Sequence, residues 1–123
     1  FNAVSPPGTI TWGSLLQACA AAAGVQPDLR WVPDDRLLAA GVGPWMELPL
    51  WIPASGPDAA GSAAFMAVPT GRAQASGLAC RPIAQTVADT LAWWQALPPG
   101  QQAFTATGLA AAREARILAA ACG

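Results

Sequence analysis

The sequence predicts an α/β fold in which a small sheet of about three strands is flanked by helices. Three short apolar segments have the composition that is typical of strands: 1–4, 29–32 and 64–68. Between and after them, apolar residues recur at helical spacing, and clusters of proline and glycine separate the elements. The predicted order is β-α-β-α-loop-β-α-α-α. At 123 residues the chain has the size of one domain, which we place over 1–123.

The first strand, 1–4, is stopped by the turn cluster 5–8, which holds two prolines and a glycine. Thr9 or Thr11 can cap the helix that comes next, and Gly24 ends it. One apolar stripe runs along this predicted helix: Trp12, Leu15, Leu16, Cys19, Ala20 and Ala23. A stripe of this kind indicates a helix that packs on a neighbouring element through one face.

The second strand, 29–32, ends at Pro33, and Asp34 is placed to cap a short helix that runs through Ala40. Asp34 and Asp35 form an adjacent pair of carboxylates, but neighbours on a helix point about 100° apart. Capping therefore explains Asp34 better than paired acid–base chemistry does.

The third strand, 64–68, precedes a short helix that Thr70 can cap, which runs through Ser76 and stops at Gly77. The clearest helix spans 83–97. Its apolar residues repeat at helical spacing: Ile83, Val87, Leu91 and Trp94. A last helix, rich in alanine, is predicted near 109–121.

Charge and cysteine content exclude several classes of protein. A formal net charge of -1, with six scattered arginines, argues against a nucleic-acid partner. Gly, Pro or charge interrupts every apolar run, which predicts a soluble protein with no membrane partner. Three cysteines without a disulfide framework fit a reducing compartment, so we expect the cytoplasm. The three cysteines are far apart, and we predict that they are small buried hydrophobes and not a disulfide framework.

The chain has no histidine, no lysine and no tyrosine. It therefore lacks the commonest general base, the amine that forms Schiff bases and the phenolic acid. Without histidine and without a CxxC motif, we expect no metal site. An enzyme that used Glu47 or Asp89 alone would have no partner base, so we expect no catalysis by this chain itself. Asp89 and Arg113 are interpreted as parts of solvated helix faces.

The segment PWMELPLWIP, 44–53, is the main candidate for a site. It lies within an irregular stretch, 42–62, whose aromatic content argues against disorder. The predicted substrate-binding residues are Trp45, Met46, Glu47 and Trp51. In one interpretation they form a pocket wall in which Glu47 accepts a hydrogen bond from a ligand's hydroxyl or amine. In the other, the loop is buried against a neighbouring domain and Glu47 forms a salt bridge or caps backbone amides.

The order of these motifs resembles the extended short-chain dehydrogenases/reductases of the NAD-dependent epimerase/dehydratase type. TWGSLLQACAAAAG, 11–24, and LRWVPDDRLLAAGVGPWMELPLWIP, 29–53, are similar to consecutive parts of that family. The most similar stretch, 63–97, has a short helix with an arginine, a G-L-x-x-R-P corner and a helix that ends in T-L-x-W. Its matching residues are Arg72, Gly77, Leu78, Arg81, Pro82, Thr90, Leu91 and Trp93.

The resemblance implies the substrate-binding portion of such an enzyme, without the Rossmann half that binds the nucleotide. It implies NAD or NADP as cofactor of the parent enzyme and none in this chain, with a small-molecule substrate and the Rossmann domain of the same enzyme as partners. A start at Phe1 fits an excised domain, and its uncovered apolar face would favour self-association. The alternative is a free-standing module of the same fold that binds a small molecule or another protein.

Overall fold

The computed structural model describes residues 2–56, 65, 67–103 and 108–122, with side chains only as far as residue 120 in the last range. Its helices are α1 (Trp12–Ala23), α2 (Asp34–Ala39), α3 (Gly71–Ala75), α4 (Ile83–Ala96), a 3-10 turn (Pro99–Gln101) and α5 (Ala111–Cys122). None of the helices that the structure describes combines the length and the apolar character that a membrane crossing requires.

The prediction of an α/β fold with a three-stranded sheet is wrong. The chain is mostly helical, and its described residues contain no sheet. Segments 2–4 and 29–32 are irregular, as are the described residues of 64–68, which include a turn at Phe65. Residues 1, 64 and 66 lie outside the described residues. Short apolar composition predicted these strands, but strand formation also requires a partner edge, and composition does not provide one.

The described residues form two compact units that are interleaved along the chain. Unit 1 comprises Phe1–Asp28 and Met66–Ala103, and unit 2 comprises Leu29–Phe65 and Phe104–Gly123. Unit 1 therefore contains α1, α3, α4 and the 3-10 turn, whereas unit 2 contains α2 and α5. The assignment of 1–123 to one domain stays a prediction.

Helix α1 begins with a reciprocal capping arrangement. Thr11 Oγ1 accepts a hydrogen bond of 3.1 Å from the Ser14 backbone N–H, and Ser14 Oγ accepts one of 2.9 Å from the Thr11 N–H. The structure thus selects Thr11 over Thr9, whose hydroxyl donates to the Pro6 carbonyl instead. At the other end, Gly24 has φ +67, a left-handed conformation that closes helices and that glycine adopts without strain.

We expect Thr11→Ala to lower the free energy of unfolding by about 1 kcal/mol, because the substitution leaves an amide of the first turn without its acceptor. The matched control is Thr9→Ala, which removes the same side-chain atoms from a residue outside the helix. Urea denaturation followed by far-ultraviolet circular dichroism measures both variants. Equal losses of stability in the two would contradict the assignment of the cap.

Helix α4 packs against α1 and supplies the main helix pair of unit 1. The predicted stripe of α4 faces partly inward, since its four apolar residues are all half-buried: Ile83, Val87, Leu91 and Trp94. On the solvent side, Arg81 Nε donates to Thr86 Oγ1 at 2.9 Å, and its guanidinium forms an ion pair with Asp89. Asp89, predicted to lie on a solvated face, therefore has a local partner near the start of α4.

Unit 2 has a small buried core. Its buried hydrophobic residues are Leu37, Val42, Trp51 and Ile117. Leu37 belongs to α2, Ile117 to α5, and Val42 and Trp51 to the segment after α2. The predicted site residue Trp51 is thus part of the core, while the rest of the segment lies closer to the surface.

Candidate functional site

The segment 43–51, which we call the 43–51 loop, is organised by its own backbone hydrogen bonds. The Glu47 N–H donates to the Gly43 carbonyl at 3.1 Å, and the Trp51 N–H donates to the Leu48 carbonyl at 3.1 Å. The Trp45 N–H donates to the Trp51 carbonyl at 3.1 Å and so joins the two ends of the loop. As expected, this segment contains no helix or strand, and its hydrogen bonds close it into turns.

Two residues of the loop have a backbone conformation that side chains disfavour. Trp45 and Leu50 both have φ 65, in the left-handed region. For an L-residue with a large side chain this conformation costs about 1–2 kcal/mol. Surrounding contacts must hold such residues in place, and strained residues of this kind cluster at binding and catalytic sites.

Glu47 is engaged on both carboxylate oxygens. Oε2 accepts a hydrogen bond of 2.7 Å from the Gly43 N–H, and Oε1 forms an ion pair with Arg113. The side chains of Glu47 and Arg113 are 28% and 33% exposed, so the pair is partly shielded from water. The sequence predicted a salt bridge or capped backbone amides for Glu47 as the alternative to a ligand contact, and the structure contains both kinds of contact.

Arg113, on α5, bridges two points of the loop region. One guanidinium nitrogen pairs with Glu47, and Nη2 donates to the Gly41 carbonyl at 2.7 Å. The planar fork of arginine suits two acceptors held side by side. Arg113 was predicted to lie on a solvated face, and this bridging role was missed. The signal that could have found it was Glu47 itself, because a carboxylate in an apolar segment needs a cation, but six arginines were candidates.

Asp34 fixes the far end of the loop. Its Oδ1 accepts a hydrogen bond of 2.9 Å from the Trp51 indole N–H, and its Oδ2 accepts one of 2.6 Å from the Ala54 N–H. The expectation that Asp34 caps α2 is therefore corrected: Pro33 is the capping residue, and it makes no side-chain cap bond. Trp51 is only 6% exposed, so it anchors the loop to the core of unit 2.

The remaining predicted site residues face solvent. Trp45 is 46% exposed and Met46 is 54% exposed, and Leu50, which was not predicted, is 49% exposed. We call these three residues the apolar loop surface. Trp45 also makes an edge-to-face contact with Phe65, with ring centroids 5.9 Å apart. Of the four predicted residues, two lie on this surface, Glu47 braces the loop, and Trp51 is buried beneath it. Their role in substrate binding stays a prediction.

The cysteines differ from expectation. Cys19 and Cys80 are free and exposed, so the prediction that they are buried is wrong, and the Cys122 side chain lies outside the described residues. Within the part of the chain that the structure describes, no three His, Cys, Asp or Glu residues are grouped as metal ligands would be. The apolar loop surface and the ion pair that braces it are the features that define the candidate site.

No family model, curated protein or solved structure matches this chain.

Proposed function

We propose that this chain is the substrate-binding portion of an NAD(P)-dependent reductase, epimerase or dehydratase, and that its apolar loop surface contacts the substrate. The observation that carries the proposal is the combination of a braced loop with outward-facing Trp45 and Met46. The chain is not assigned catalysis of its own. A separate Rossmann domain of the same enzyme would supply the nucleotide and the reacting groups.

The loop has the physical properties of a preorganised binding element. Burial of a large apolar side chain stabilises a protein by about 1.5–3 kcal/mol, and a side chain that stays in water does not contribute this stabilisation. The strained backbone at Trp45 adds a further cost, which the hydrogen bonds of Glu47 and Trp51 offset. A ligand that covers Trp45 and Met46 gains their burial without ordering the loop first, because the loop is already ordered.

The helix boundaries are compatible with the resemblance on which the proposal rests. The glycine of the G-L-x-x-R-P corner, Gly77, has φ +94, and its proline, Pro82, is the capping residue of α4. Trp93 of the T-L-x-W motif lies in the last turn of the same helix. The motif residues thus mark a helix stop and a helix start. The sheet is not part of the proposed architecture, because the structure rules it out for the described residues.

The start of α1 lacks the features of a site for dinucleotide phosphates. Dinucleotide phosphates are bound by free amides at a helix N-terminus that comes after a glycine-rich turn. In α1 the Ser14 N–H already bonds to Thr11 Oγ1, and the Thr11 N–H bonds to Ser14 Oγ. No GxGxxG spacing precedes the helix. We therefore place no cofactor contact at the start of α1, and the proposal gives the nucleotide to the Rossmann domain.

The test is to express the complete reading frame that encodes this chain and to measure NADH and NADPH binding by nucleotide fluorescence. We expect binding of one of them, together with a glycine-rich βαβ unit and a Tyr-x-x-x-Lys pair encoded upstream. A reading frame without these features, or a full-length product that binds neither nucleotide, would contradict the proposal. That outcome would favour the free-standing module that binds a small molecule or another protein.

In the complete enzyme we expect Trp45→Ala to raise KM about tenfold, because the substrate loses the contact area of one indole ring. The kcat should change little, since Trp45 is not placed at the reacting atoms. Trp31→Ala is the matched control, as Trp31 is an equally large exposed side chain outside the 43–51 loop. Reduction of a panel of carbonyl compounds, followed by nucleotide absorbance, provides the assay. Similar KM values for the two variants would count against a substrate contact at Trp45.

A further inference from the structure

We infer that the apolar loop surface recognises an uncharged, apolar group of the substrate, and that Arg113 enforces this preference by neutralising Glu47. The inference rests on the proposed function and names the chemistry of the group that the site accepts. It departs from the interpretation in which Glu47 selects a hydroxyl or an amine. Arg113 is a positioning residue, because it acts through Glu47.

The 43–51 loop offers little charge to a ligand. Glu47 is the only ionisable residue between positions 42 and 54. Its ion pair with Arg113 leaves the two side chains with no net charge, and both carboxylate oxygens already accept a hydrogen bond. An incoming ammonium group would meet a carboxylate whose charge the Arg113 guanidinium already balances. A charged substrate group therefore gains little at this loop.

Asp34 is the other carboxylate bonded to this segment. It accepts one hydrogen bond at each oxygen, from the Trp51 indole N–H and the Ala54 N–H. Both bonds hold the 43–51 loop at its buried end. Asp34 is thus committed to loop structure in the same manner as Glu47, and it does not replace Glu47 as an acceptor for substrate.

The cation at position 113 has to be an arginine to make both of its contacts. Arg113 reaches the Glu47 carboxylate with one nitrogen and the Gly41 carbonyl, 2.7 Å away, with the other. Gly41 and Glu47 lie on either side of the start of the loop, so one guanidinium fixes both. A lysine ammonium lacks this planar fork and would not hold both acceptors in the same geometry.

The groups that remain for recognition are apolar and polarisable. Trp45 presents an indole ring, Met46 a thioether and Leu50 a branched aliphatic chain. Rings and thioethers favour aromatic or aliphatic partners through stacking and sulfur contacts. The Phe65 ring makes an edge-to-face contact with the Trp45 indole. A ligand can contact the surfaces of the indole that Phe65 does not cover.

The experiment uses the whole chain labelled with 5-fluorotryptophan, in which the Trp45 fluorine resonance is assigned from Trp45→Phe. Three small probes of similar size are titrated at neutral pH: benzyl alcohol, benzylamine and benzoate. We expect benzyl alcohol to shift the Trp45 resonance with an affinity at least equal to that of either ion. In Arg113→Ala the freed carboxylate should raise the affinity for benzylamine about two- to fivefold, with benzyl alcohol unchanged.

Two variants control the interpretation. Arg116→Ala removes the same charge from an exposed position on the same helix, and it should leave the affinity for benzylamine unchanged. Glu47→Gln keeps the shape of the side chain without its charge, and it should leave the ranking of the probes unchanged. This variant tests the inference whether or not Arg113→Ala folds.

Three results would overturn the inference: preferential binding of benzylamine that Glu47→Gln abolishes, equal effects of Arg113→Ala and Arg116→Ala, or no Trp45 shift with benzyl alcohol up to its solubility. None of these readouts depends on a nucleotide. Failure of the inference is therefore distinguishable from failure of the proposed enzyme, which nucleotide binding by the complete reading frame decides.

Discussion

Replacing Trp51 by alanine should lower the free energy of unfolding by about 3–5 kcal/mol, the range for deleting a large aromatic side chain from a protein core. Trp51 is buried among the core residues of unit 2, and its indole N–H donates to Asp34 at 2.9 Å. Alanine would leave a cavity and would also remove the partner of Asp34 Oδ1. Urea denaturation followed by circular dichroism gives the stability, and hydrogen exchange locates the loss in unit 2.

Two substitutions separate the contributions of volume and hydrogen bonding at this position. Trp51→Phe keeps most of the ring but removes the indole N–H, and it should cost less, about 1–3 kcal/mol. Trp31→Ala deletes the same side chain from an exposed position, and it should change stability by less than about 0.5 kcal/mol. A loss for Trp51→Ala no larger than that for Trp31→Ala would show that Trp51 is not part of a core.

The second large effect is expected at Leu91, on the half-buried stripe of α4. Leu91→Asp places a carboxylate on the half-buried stripe of α4, the helix that packs with α1. We expect a loss of about 2–3 kcal/mol, because apolar burial is lost and a charge is partly desolvated. The stability measurement is the same, with hydrogen exchange expected to increase in α1 and α4.

Ala92→Asp is the matched control for this substitution. Ala92 is the next residue of the same helix and is exposed, so the control introduces the same charge with a similar loss of helix propensity. It should cost less than about 1 kcal/mol. If both variants lose the same stability, the stripe does not define the packed face of α4.

The helices were predictable from the sequence because their signals are local. Spacing of apolar residues located α1 and α4 to within one residue at most ends, and Gly24 marked the end of α1, while its cap was left open between Thr9 and Thr11. Such signals depend on residues within one or two turns of each other, so they need no knowledge of the tertiary structure. Two predicted caps fail: distant donors at Trp51 and Ala54 take the oxygens of Asp34, and the Thr70 side chain makes no cap bond.

The sheet was mispredicted because strands depend on distant partners. The segments 2–4 and 29–32 have strand-like composition, but composition does not specify which strand edge they would pair with. Val4, for example, is exposed, and near it the Asn2 side chain donates to the Pro69 carbonyl.

The segment around Glu47 could be singled out from the sequence, but its contacts could not. An acid among tryptophans drew attention to Glu47. The partner of Glu47 lies 66 residues away on α5, and no local pattern distinguishes Arg113 from Arg116 on that helix. The left-handed conformation of Trp45 is likewise set by the closure of the loop and not by its own residue type.

The interleaving of the two units has a consequence for synthesis on the ribosome. Helix α1 cannot meet α4 until residue 96 has been translated, and Glu47 cannot meet Arg113 until α5 emerges. Each pairing closes a long intervening stretch of chain, which is entropically costly and slow compared with local helix formation. The apolar faces of the helices that are translated first therefore stay exposed to solvent until their partners have been synthesised. We expect a chaperone that binds the chain during translation to protect these apolar faces better than one that binds after release from the ribosome.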